Sequence, residues 1–106
     1  MPKYGVLVEG NNYLIQTDGK PTKLGFFTHR FVEAAAPRFA AEIALDLVRD
    51  ELKGTVLNDE TDTPLLRVDE MKLMDTFEGC LVPGRGFTFF SAEESSPWWR
   101  KLFGKR

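Results

Sequence analysis

Between Pro37 and Leu52 a row of polar side chains falls at Arg38, Glu42, Asp46 and Arg49, with Lys53 one step beyond, three or four residues apart. That spacing puts them on one stripe of a helix. The other side carries Ala40, Ile43, Ala44 and Leu47, flanked by Ala41, Leu45 and Val48. Pro37 suits a first helical position, where its missing N–H costs nothing, and Gly54 suits a stop. Arg38 and Glu42 are spaced for an i,i+4 ion pair. The alanines on the apolar side predict close approach to a sheet.

Sheet residues lie on both sides of this helix. Tyr4–Glu9 reads as a strand, Gly10-Asn11-Asn12 as a tight turn or bulge, and Tyr13–Gln16 as a resumed extended segment. Asp18–Pro21 is a turn, and Lys23–Ala34, dense in Phe, Thr and Val, is the next strand. After the helix, Asn58–Pro64 is a polar loop. Leu65–Thr76 is a strand whose alternation slips, which a bulge near Asp69-Glu70 reconciles. Phe77–Gly86 is a loop and Gly86–Ser91 a last, aromatic strand. The reading is an α+β domain over residues 1–96: a single, mostly antiparallel sheet of four to five strands with the long helix on one face.

The final ten residues differ from this body. They hold both tryptophans and four basic side chains, whereas residues 1–96 hold ten basic and sixteen acidic ones. Ser96-Pro97 reads as an N-cap and first-turn proline opening a short C-terminal helix. Such a helix gathers Trp98, Trp99, Leu102 and Phe103 on one side and Arg100, Lys101 and Lys105 on the other. A segment this short does not hold helical form alone in water and must dock to be ordered. Docking on its own acidic domain satisfies this most simply; a protein partner, an anionic membrane surface and a disordered tail are the alternatives.

Several chemistries find no support in the residues. One cysteine, Cys80, and one histidine, His29, exclude an internal disulfide and a Cys- or His-cluster metal site. No apolar run reaches the roughly 20 residues of a membrane span, and no secretory signal is visible, so a cytoplasmic location is the expectation. A net charge of −2 disfavours general nucleic-acid binding. Asp59-Glu60-Thr61-Asp62 lacks the alternating acids and central glycine of a calcium loop. Gly84-Arg85-Gly86 precedes a strand and does not open a helix, so it is no phosphate cradle. Cys80 has no neighbouring base, and His29 has no evident orienting acid or nucleophile. Neither catalysis nor a cofactor is expected.

Two resemblances remain. Arg85-Gly86-Phe87-Thr88-Phe89-Phe90 resembles the aromatic signature of RNA-recognition motifs, with Val6-Leu7-Val8-Glu9-Gly10-Asn11 as a loose companion. Leu7 stands where that family places a stacking ring, and Thr88 replaces a small residue, so packing under the helix is the preferred reading. Gly25–Ala34 and the following helix resemble small uncharacterised bacterial proteins of similar length, which implies a bacterial origin and no transferable activity. The expectation is a non-enzymatic module working by protein–protein contact, as a homodimer or within a larger complex. The contact residues would be Phe27, His29, Arg30 and Phe31 on the central strand, with Trp98, Trp99, Leu102 and Phe103 on the tail. Peripheral membrane attachment through the tail and single-stranded RNA binding on the aromatic strand are the alternatives.

Overall fold

The computed structural model describes residues 1–17 and 19–91. The short C-terminal helix expected from Pro97 onward lies outside the described residues. Within them the chain runs β1 (Lys3–Thr17), β2 (Lys20–Glu33), α1 (Pro37–Leu52), β3 (Leu65–Met74) and β4 (Thr88–Ser91). The strands form one sheet of order β3-β1-β2-β4, every neighbouring pair antiparallel. No helix among the described residues is long and apolar enough to cross a membrane.

The two segments expected at Tyr4–Glu9 and Tyr13–Gln16 are one strand. Both halves pair with β2, and the register shifts between Gly10 and Tyr13. The extra residue, with Asn12 at φ 64°, reverses the alternation, so Tyr13 and Ile15 return to the face that holds Tyr4, Val6 and Val8. β3 contains the second expected bulge: Val68 pairs with Val8 and Glu70 with Leu7, leaving Asp69 over. β4 starts at Thr88 and not at Gly86, because the Gly86 peptide is used elsewhere. Its N–H donates to Glu51 at 2.9 Å and its carbonyl accepts from Thr28 at 2.6 Å.

α1 has the expected bounds and ends before Gly54, which takes a left-handed φ of 83°. Its buried seam is Ala40, Ala44, Val48 and Leu52, a strict i,i+4 row. Ile43, expected on the buried side, is 39 % exposed. The small side chains bring α1 down onto β1, β2 and β3 along that narrow seam, so residues a quarter turn away stay partly in solvent. The core is this seam against Tyr4, Val6, Val8, Tyr13, Ile15, Phe26 and Val32. A polar staple holds the 55–63 segment to the sheet: the Asn58 side chain accepts from Leu14 N–H at 2.8 Å and donates to the carbonyls of Asn12 and Asp62 at 2.9 and 2.8 Å.

Candidate interaction surface

Strand alternation divides the chain's functional candidates between two faces. On β2, residues 26, 28, 30 and 32 turn under α1, while Phe27, His29 and Phe31 turn the other way. Pairing sets Leu7 opposite His29 and Gly5 opposite Phe31 on one side, then Glu70 opposite Leu7 and Lys72 opposite Gly5 on the other. Among the described residues no helix or strand covers this second face.

Three of the expected contact residues therefore sit together. The His29 ring lies parallel to Phe31, centroids 6.1 Å apart, and Phe77 meets Phe31 edge-on at 6.0 Å. Phe27 leans on Phe90 at 5.5 Å. Two adjoining hollows share Leu7, His29 and Phe31. One, of about 690 Å³, extends over Gly5 to Glu70, Lys72 and Met74. The other, of about 550 Å³, extends to Phe27, Leu81 and Arg85. Phe27 and Phe31 are half-buried, and His29 is exposed between the hollows.

Arg30, expected with them, is on the covered face and 1 % exposed. Its guanidinium donates to the Thr28 hydroxyl, to the His29 carbonyl at 2.7 Å, and to Glu51 near the end of α1. It also lies over the Phe87 ring at 5.5 Å. A buried cation needs a paired anion and filled donors, and Glu51 supplies the anion while its second oxygen accepts from Gly86 N–H. Arg30 thus ties helix, strand and the segment before β4 together beneath the contact face. Alternation puts it there, one residue out of phase with His29 and Phe31.

The free edge of β2 beyond β4 is closed by the same segment. Phe31 N–H donates to the Pro83 carbonyl at 2.8 Å, after a cis Val82–Pro83 peptide. Gly84 follows at φ 95°, where a Cβ would stand 2.8 Å from the His29 carbonyl oxygen. Only glycine fits that approach.

The remaining candidates fall in plain settings. Phe87 and Phe89 pack edge-on against Phe26 at 4.9 and 6.0 Å, on the helix side of the sheet, Phe87 half-buried and Phe89 44 % exposed. The Asp59 carboxyl accepts from Thr61 N–H at 2.9 Å and its hydroxyl at 2.6 Å, bonds that hold it below the usual carboxylate range. Asp62 is likewise lowered, first by its bond to Lys23 at 2.6 Å and then by Asn12 at 2.8 Å. Among the described residues no three His, Cys, Asp or Glu groups gather as a metal site. Cys80 is half-buried in the loop after β3. Burial raises the Tyr13 phenol, offset in part by Arg49. Trp98, Trp99, Leu102 and Phe103 lie outside the described residues.

Sequence reasoning missed Leu7, Glu70, Lys72, Met74 and Phe77. A hairpin count carried a signal for the first: Thr17 pairs with Lys20, and one extra residue in β1 then puts Leu7 opposite His29. No family model, curated protein or solved structure matches this chain.

Proposed function

We propose that this chain works by protein–protein contact and that the helix-free face of the sheet is its contact surface. The observation that carries the reading is the cluster of Leu7, Phe27, His29 and Phe31 on a sheet face that no described helix or strand covers, bordered by Glu70, Lys72 and Arg85. An apolar centre with aromatic side chains inside a charged rim is the anatomy of a protein interface. The hollows are shallow, which suits a side chain inserted from a partner surface.

A photo-crosslinking residue placed at position 29 tests it, with the same residue at exposed position 42 on α1 as control. The expected result is a discrete adduct from position 29 only, competed away by excess wild-type protein and not by excess His29→Asp protein. The mass of the adduct separates a second copy from a different partner. Equal yields at both positions, or no adduct from position 29, would remove the proposal's support.

A further inference from the structure

The two edges of the sheet are treated differently. The β2 side is shortened by the four-residue β4 and then closed by Pro83 and Gly84. The β3 side is a ten-residue strand at the end of the sheet with no described strand beyond it. On β3, Leu73 is 68 % exposed. Glu70 and Lys72 are exposed and in no ion pair among the described residues, whereas Arg67 upstream holds both Glu9 and Asp69. An open edge offers unpaired backbone groups to another strand.

Geometry limits how this edge can pair with itself. Antiparallel pairing about a two-fold axis sets residues equidistant from the axis opposite each other and on the same face. The bulge removes Asp69 from the count, since Val68 and Glu70 occupy successive positions against β1. An axis at Glu70 sets Glu70 against itself and Arg67 against Lys72, and an axis at Lys72 sets Lys72 against itself. Like charges directly opposite are unfavourable. An axis at Val68 sets Arg67 against Glu70, but Arg67 is already engaged, and Leu73 then falls opposite Pro64. An axis at Met71 sets Glu70 against Lys72 twice and Val68 against Leu73 twice, with Met71 on the axis. That register joins the two β3 charges that have no ion-pair partner among the described residues and covers the exposed leucine.

We infer that the β3 edge pairs with the β3 edge of a second copy, antiparallel and with the two-fold axis at Met71, making one continuous sheet from two four-stranded ones. The inference stands on the strand edge and not on the helix-free face. Its consequence for that face is that the hollow bordered by Glu70, Lys72 and Met74 in one copy lies beside the same hollow of the other across the axis.

Sedimentation velocity on the full chain tests the register. Wild type is expected to dimerise. Lys72→Glu and Glu70→Lys should each weaken dimerisation about tenfold or more, and the double exchange Glu70→Lys/Lys72→Glu should restore it. Leu73→Glu is an independent arm that should weaken it without touching the charges. Far-UV circular dichroism confirms that each variant is folded, as expected at exposed positions. A wild type that stays monomeric, a dimer indifferent to the single exchanges, or a double exchange that fails to restore pairing would each overturn the inference. An axis at Val68 predicts the opposite pattern, with Lys72→Glu harmless and the double exchange still weak. These outcomes leave the crosslink from position 29 unaffected, so the two proposals fail separately.

Discussion

His29 and Arg30 are neighbours in the chain and opposites in the fold. His29 is exposed between two hollows of the bare face, while Arg30 is 1 % exposed beneath α1 and locked to Glu51 and Thr28. The covered face spends Arg30 internally, and the bare face leaves His29 outward, although Glu9 on that same face is 1 % exposed and paired with Arg67. The first therefore governs stability and the second governs contact, and substitutions can separate the two.

Glu51→Ala should disturb the covered face most. It leaves Arg30 buried without its anion and also removes the acceptor of Gly86 N–H. The expected loss is about 2–4 kcal/mol, read from urea unfolding, below that of a fully buried pair because the Glu51 side chain is 34 % exposed. A loss below about 0.5 kcal/mol would show that the cation is offset by something other than Glu51. Gly84→Ala comes next. At φ 95°, with the His29 carbonyl 2.8 Å from the new Cβ, it should cost about 1–3 kcal/mol. Hydrogen exchange at Phe31 N–H should then quicken, because its acceptor Pro83 precedes the strained position. Unchanged protection of that amide would mean that the 83–86 segment is held by other contacts. On the bare face, His29→Ser should change stability by no more than about 0.5 kcal/mol while removing the adduct competition described above. A large loss of stability would place His29 with Arg30 as part of the fold.

How much of this was legible in the sequence depends on period and phase. The helix was read to its bounds because Pro37 and Gly54 mark its ends and its polar stripe has a clear 3.6-residue period. The bulge at Asp69 was legible as a slip in alternation, whereas the turn residues at Gly10–Asn12 marked an interruption that fits a tight turn as well as a bulge. Whether Tyr13–Gln16 formed a separate strand was not legible, because a bulge within one strand and a turn between two leave the same local residues. Arg30 was misplaced for a related reason. Alternation says that Arg30 and His29 face opposite ways, but exposed charge is so common that a buried one is not assumed. Its partner Glu51 is 21 residues away on the helix, and only the packing angle of α1 brings them together. The open surface depended on β3 pairing with β1 between residues 3–11 and 65–74, a long-range register which no local pattern specifies.

An exposed ion pair outside the core has a weaker influence on stability than the pair at Arg30. Asp62 pairs with Lys23 and Asn12 across the loop that staples β1, and its carboxyl is held below the usual range by those two bonds in that order. A folded-state value below the unfolded one of about 3.9 means that the stabilisation is fully present above that pH. As pH falls, the unfolded chain takes up its proton first, and the contribution is lost through the folded-state value. Asp62→Asn should therefore leave the acid limb of the stability curve shallower below about pH 4, with little change at neutral pH, where an exposed pair is screened. Urea midpoints at pH 7 and near pH 3 check it: wild type should lose more than the variant between them. Equal losses would show that this loop is held by Asn58 alone, and that the exposed ion pair plays no part comparable to the buried one at Arg30.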